Sequence, residues 1–163
     1  MSSVRIRRFA PGDTEAVVAL ILGIQRDEFG LSLTVADQPD LSDIAGFYQS
    51  GTGDFLLAER DGRVVGTIGL RDIGANRTAL RKMFVAAGAR GHVHGTAQML
   101  LDRLVRDARD RGVREILLGT TERFLAAHRF YERNGFVSVA PGALPDTFPR
   151  MAVDTRFYAR TLG

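Results

Sequence analysis

The chain is 163 residues long, enough for one domain with a sizeable core, and its 45% hydrophobic and 25% charged content is that of a folded globular protein. It has no cysteine, which excludes disulfides, cysteine nucleophiles and thiolate metal sites. The net charge is only +3 despite a pI near 9.9, and Lys82 is the one lysine among 22 basic residues, so the high pI reflects arginine and identifies no partner. No apolar run reaches membrane-spanning length, and Val4–Phe9 is too short and too charged for a signal-peptide core. The expectation is a cytoplasmic protein.

Val4–Phe9 alternates as a strand does, and Pro11-Gly12-Asp13-Thr14 breaks it and offers Asp13 or Thr14 as a helix cap. Ala16, Val17, Leu20, Ile21 and Ile24 then form one helical face. Residues 30–39 are polar and carry no secondary-structure signal. Leu41, Ile44, Ala45 and Tyr48 predict a short second helix from Ser42, ended by Gly51-Thr52-Gly53. Phe55–Arg60 and Arg63–Arg71 flank Asp61-Gly62, a strong hairpin signal because a type I′ turn needs positive φ. Ala79–Val85 reads as the next strand.

Glycines at 88, 91 and 95 follow, and then a helix over 95–111. Ala97, Leu100, Leu101, Leu104, Val105 and Ala108 make its apolar face, and Gly112 is its C-cap. Asp102 precedes Arg106 by four and Asp107 precedes Arg111 by four, which predicts surface ion pairs on a solvated face rather than a nucleic-acid patch. Glu115–Leu118 is a short buried strand. Phe124–Arg133 is a late helix closed by Asn134-Gly135. Phe136–Val139 and Met151–Tyr158 are the last strands, separated by Pro141, Pro145 and Pro149. The order β α α β β β α β α β β describes a mixed α/β (α+β) sheet with helices packed on it. A strand, a glycine loop and a helix N-terminus in succession present free backbone N–H groups, an arrangement that binds phosphate.

Three pieces of sequence carry a resemblance to a family. The first is Arg81-Lys-Met-Phe-Val85 leading into Arg90-Gly91. The second is the loop His92-Val93-His94-Gly95-Thr96-Ala97. The third is Ala127-His-Arg-Phe-Tyr131-Glu-Arg-Asn-Gly135-Phe136. In this order and spacing they resemble the GNAT superfamily of acetyl-CoA-dependent N-acetyltransferases, over nearly the whole chain and most strongly from Leu80 to Phe136. The resemblance implies a single GNAT-like domain over 1–163, with a central, mostly antiparallel mixed sheet of about seven strands flanked by four helices. There are two departures. The family loop starts with Gln or Arg, whereas this chain has His92 there and Arg90 two residues earlier. An Asn common in the family seven residues before the tyrosine is replaced by Phe124, with Thr120 and Thr121 as substitutes.

The resemblance also implies roles. Backbone groups of Met83, Phe84 and Val85 would meet the pantetheine arm. Arg90 would pair with a phosphate, and Gly91, His92, Val93, His94, Gly95, Thr96 and Ala97 would cradle the pyrophosphate. Thr120 and His128 would stand near the cofactor, although His128 also suits packing. His92 and His94 lack a third ligand in the sequence, so no metal is expected. Tyr131 would protonate the departing thiolate after an amine attacks the thioester in a ternary complex.

Asp27, Glu28, Asp72, Glu122 or an ordered water are candidate bases. The acceptor, a primary amine on a small molecule, would be read by residues 24–50 and 140–150, with Phe29, Phe47, Tyr48, Phe148 and Tyr158 as candidate lining, and by a partner subunit if the chain forms a homodimer. Neither nucleic acid nor membrane is an expected partner. Competing readings are a longer acyl-CoA donor, a protein amine as acceptor, and a non-catalytic acyl-CoA sensor.

Overall fold

The structure is a computed structural model, and it describes residues 3–91, 95–122 and 125–163. Seven strands form one sheet in the order β1-β2-β3-β4-β5-β7-β6. They are β1 (Arg5–Arg8), β2 (Asp54–Arg60), β3 (Arg63–Gly74), β4 (Arg77–Val85), β5 (Glu115–Thr120), β6 (Val137–Val139) and β7 (Arg156–Thr161). Four α-helices pack on it: α1 (Thr14–Asp27), α2 (Ile44–Tyr48), α3 (Thr96–Asp110) and α4 (Leu125–Arg133). Every pairing is antiparallel except β4 with β5. The expected fold class and element order are those found.

Alternation in β2 divides the core between the two faces of the sheet. Leu56 and Ala58 pack with Leu100, Leu101, Leu104 and Tyr131, beneath α3 and α4. Phe55 and Leu57 pack with Val17, Ile21, Ile44 and Tyr48, beneath α1 and α2. The β2–β3 hairpin turns at Asp61 and Gly62, with φ of 54° and 74°, as the Asp-Gly pair predicts.

Three local expectations need correction. β3 and β4 extend to Gly74 and back to Arg77, because Ala75 and Asn76 adopt φ of 55° and 59° and close a second tight hairpin that has no Asn-Gly or Asp-Gly signature. β7 begins only at Arg156: Met151–Asp154 folds on itself, with Asp154 N–H donating to the Met151 carbonyl at 3.1 Å. On α3, Asp107 pairs with Arg103 at 2.8 Å, while Arg111 leaves the helix to reach buried Asp54 at 3.2 Å.

Candidate functional site at the parting of β4 and β5

The parallel pair holds for three residues, Arg77–Ala79 against Glu115–Leu117, and then ends. Beyond it the two strands have no further register, so the β4 edge facing β5 keeps unpaired backbone groups. A bulge in β4 lies at this point. Thr67 pairs with Phe84 and Gly69 with Arg81, so Lys82 and Met83 together oppose Ile68. Lys82 carries the bulge in the left-handed region, φ 54°.

The extra residue changes which side chains share a face. In a regular strand Arg81 and Met83 would point the same way. Here Arg81 and Phe84 face α1 and α2, and Met83 faces α3 and α4. The parted strands therefore open onto two chemically different sides.

On the α3 side, Gly91 and Gly95 have φ of 91° and 61°. Gly95 N–H donates to the Gly91 carbonyl at 3.0 Å, and its own carbonyl accepts from Met99 N–H at 2.9 Å. Gly95 is the N-cap and supplies no side-chain cap, so the N–H groups of Thr96, Ala97 and Gln98 have no acceptor within the helix. Thr96 is 1% exposed, and its hydroxyl has no hydrogen-bond partner among the described residues. His92, Val93 and His94, expected in the phosphate cradle, lie outside the described residues, as does Phe124.

Arg90 has partners other than the one expected. Its guanidinium grips Glu28, at the end of α1, through two contacts of 2.6 and 2.7 Å, and its Nε donates to the Val85 carbonyl at 2.7 Å. This pairing holds the Glu28 carboxyl below its usual pKa. The contact spans 62 residues, so no local pattern announces it.

Tyr131 is 7% exposed in the α3-side core, and its hydroxyl donates to Met83 Sδ at 3.6 Å. Burial pushes its pKa well above the ordinary phenol value, so it stays protonated through neutral and mildly alkaline pH. His128 is corrected to a packing role. Arg156 donates to its Nδ1 at 2.9 Å, which leaves Nε2 protonated and donating to the Thr121 carbonyl at 2.7 Å. Neither ring nitrogen remains for a ligand. Thr120 is buried at the end of β5, and its carbonyl accepts from Thr155 N–H at 2.9 Å.

The α2 side brings together Gln25, Gln38, Asp40, Arg71 and Asp154, to which the sequence by itself gives no role, with Lys82, Phe47 and Tyr48. Lys82 Nζ donates to Gln38 Oε1 at 2.7 Å and lies 3.6 Å from Asp40, which also accepts from the Tyr48 hydroxyl at 2.6 Å. Gln25 and Gln38 exchange two 2.9 Å hydrogen bonds. Burial lowers the Lys82 pKa, and Asp40 partly restores it. Beside this network, two guanidiniums lie over the ring of Phe47, Arg71 at 3.8 Å and Arg81 at 5.4 Å. Across the gap, the Asp154 carboxylate packs against Gly119 of β5, where a Cβ would collide with it. Burial raises the Asp154 pKa, while a hydrogen bond from Met151 N–H and the charges of Arg81 and Arg150 oppose the rise.

Among the expected bases, Glu28 is engaged with Arg90, and Asp72 accepts from Thr52 and Gly74 N–H, which lowers its pKa. Glu122 is exposed. Of the expected aromatic lining, Tyr48, Phe148 and Tyr158 are core residues, Phe29 is exposed, and only Phe47 stands half-buried beside the gap.

Known proteins share this architecture. The Acetyltransferase (GNAT) family model matches residues 20–136. An acetyltransferase of the GNAT family from Staphylococcus aureus Mu50 is 37% identical, superimposes with a TM-score of 0.93, and covers 99% of this chain and 100% of its own. N-acetylglutamate synthase from Neisseria gonorrhoeae, solved with coenzyme A and N-acetyl-glutamate, is 21% identical with a TM-score of 0.74, over 98% of this chain and 35% of its own, which is a likeness of fold. N-acetylaspartate synthetase of Xenopus tropicalis is 32% identical over 135 residues, 77% of this chain and 49% of that protein. The chain spans about half or less of the curated relatives it matches. A family match over most of the chain, on a fold that superimposes from end to end, makes this chain a member of the GNAT acetyltransferase family.

Proposed function

We propose that the chain transfers an acetyl group from acetyl-CoA to a primary amine of a small molecule, by direct attack within a ternary complex. One observation carries this reading: the β4–β5 gap has an uncapped helix N-terminus on one side and the protonated Tyr131 hydroxyl against Met83 within it. The residues fit the cofactor. The α3 N-terminus offers the N–H groups of Thr96, Ala97 and Gln98, which have no acceptor within the helix, and the positive end of a helix dipole, and a phosphate oxygen would supply the partner that the Thr96 hydroxyl lacks among the described residues. Backbone groups of Met83, Phe84 and Val85 border the gap, where an extended amide-containing arm adds like a strand.

Acetyl-CoA supplies an activated carbonyl and a thiol leaving group. The chain supplies position and a proton. Tyr131 holds that proton on its phenol oxygen, and burial keeps it there because the phenolate would be desolvated. Its only hydrogen-bond acceptor among the described residues is a thioether, a weak one, so the proton is available to a developing thiolate. No covalent nucleophile is required: the gap brings donor and acceptor together from opposite faces of the sheet, and proximity provides much of the rate.

The test is thiol release from acetyl-CoA across a panel of small amines, with calorimetry of acetyl-CoA binding in chelator. Amine-dependent thiol release supports the reading. Absence of binding at millimolar acetyl-CoA overturns it. Binding without turnover of any amine assigns the chain to acyl-CoA sensing instead.

A further inference from the structure

Arg71 on β3 and Arg81 on β4 share the ring of Phe47, at 3.8 and 5.4 Å from its centre. Two like charges on one ring repel, and neither guanidinium is ion-paired with a carboxylate among the described residues. Arg71 donates to the Phe47 carbonyl at 2.9 Å, and Arg81 donates to the Met151 sulfur at 3.6 Å. Lys82 adds a third cation nearby, and Asp40 is already committed to it and to Tyr48. This contrasts with Arg7, Arg8, Arg77, Arg90, Arg103 and Arg111, each of which has a carboxylate partner.

The place matters as much as the charge. Arg81 and Gly119 each stand two residues beyond the last β4–β5 pair, Ala79 with Leu117. Arg81 points to the α2 face, opposite Met83 and Tyr131. Asp154 covers Gly119 on the other side of the gap, and Met151 joins the two, through its N–H to Asp154 at 3.0 Å and its sulfur to Arg81. A cationic pair and a single carboxylate thus flank the mouth through which an acceptor reaches the gap.

Resting on the reading of the chain as an amine acetyltransferase, we infer that its acceptor is an amine bearing a carboxylate, held by Arg81 and Arg71 over Phe47, with its ammonium directed toward Asp154. A guanidinium fork matches a carboxylate with two parallel hydrogen bonds, and a carboxylate between the two arginines relieves their repulsion. Asp154 accepts the ammonium proton, which frees the nitrogen lone pair for the carbonyl. The N–C bond forms as the C–S bond breaks, the thiolate takes its proton from Tyr131, the second proton that the nitrogen sheds on becoming an amide restores the Tyr131 phenol by way of water, and Asp154 releases its proton to solvent.

The experiment compares L-aspartate, L-glutamate and L-alanine with their carboxamides, and with phosphoethanolamine, in the thiol-release assay, for the native chain, Arg81→Gln and Arg81→Lys. Binding of the same amino acids is followed in parallel by calorimetry with CoA present. The expected result is a kcat/KM for at least one amino acid about 10- to 100-fold above its carboxamide, a ratio that collapses toward one in Arg81→Gln and partly returns in Arg81→Lys. Equal turnover of acids and carboxamides overturns the inference while leaving the acetyltransferase reading in place, and so does preference for phosphoethanolamine over every carboxylate. If no amine turns over, the acetyltransferase reading fails, and calorimetry still decides the site: binding of an amino acid that Arg81→Gln abolishes supports it, and binding that Arg81→Gln leaves intact, or no binding, overturns it.

Discussion

The Tyr131 hydroxyl donates to Met83 Sδ at 3.6 Å, tying α4 to the second residue of the β4 bulge. A thioether is a weak acceptor, so this bond holds the ring in place without holding the proton strongly. Tyr131→Phe keeps the ring and its contacts with Phe130, Phe136 and Tyr158. Melting temperature and acetyl-CoA affinity are expected to stay near native, while kcat falls about 100-fold, as for a lost general acid. Because burial raises the phenol pKa, Tyr131 causes no alkaline decline in kcat below about pH 10. Native kcat in the variant would return the hydroxyl to a packing role.

Gly95 caps α3 at φ 61°, with no atom of the described residues beyond its own chain neighbours within 4 Å of where a Cβ would stand. Gly95→Val therefore meets backbone strain rather than a clash, about 1–2 kcal/mol of lost stability. The side chain is added at the N-cap of α3, whose first N–H groups have no acceptor within the helix, so acetyl-CoA affinity is expected to fall at least tenfold, on the order of 1.4 kcal/mol or more. Gly95→Asn, which tolerates the left-handed region, is expected to retain most of the stability. Chemical denaturation and calorimetry on both variants separate the two effects.

Lys82 and Asp40 form a buried pair, with side chains 8% and 4% exposed. Lys82→Met leaves Asp40 with the Tyr48 hydroxyl as its one side-chain partner among the described residues and is expected to cost about 3 kcal/mol at neutral pH. The double variant Lys82→Met/Asp40→Asn is expected to recover much of that loss. The lowered Lys82 pKa also sets a sign: between that value and about 10.5 the unfolded chain binds more protons, so Lys82 makes stability rise with pH there. Urea denaturation from pH 7 to 10 checks this, and Lys82→Met should lose the rising component.

Arg90 spends its charge on Glu28. Glu28→Gln removes that competitor and leaves Arg90 beside the glycine loop. If the guanidinium then turns to phosphate, CoA affinity is expected to rise several-fold at low salt and return toward native as salt increases. Unchanged affinity at every salt concentration would confine Arg90 to bracing the loop against α1. The low Glu28 pKa gives the pair a stabilising effect that is present above the ordinary carboxylate range and lost as pH falls through the shifted value. Both side chains are substantially exposed, so the loss is expected to stay below about 1 kcal/mol.

The sequence by itself determined the element order, the amphipathic face of α3, the Asp61-Gly62 turn and the glycine loop, because each is encoded by near neighbours: periodicity, caps and residues that permit positive φ. The three ordered motifs located the gap region in the same way, through local signatures. Tertiary structure alone decided how that region is furnished. The bulge puts a lysine at φ 54°, a conformation no local preference predicts, and it turns Arg81 and Met83 to opposite faces. Arg90 met Glu28 instead of standing free, His128 spent both nitrogens on Arg156 and Thr121, and Asp154 came to rest on Gly119. Apart from His128 with Thr121, seven positions away, these contacts join residues far apart in the chain, 28 positions for His128 with Arg156 and 62 for Arg90 with Glu28. They depend on strand register and on which loops close over which face, and a pattern read along a single element contains neither.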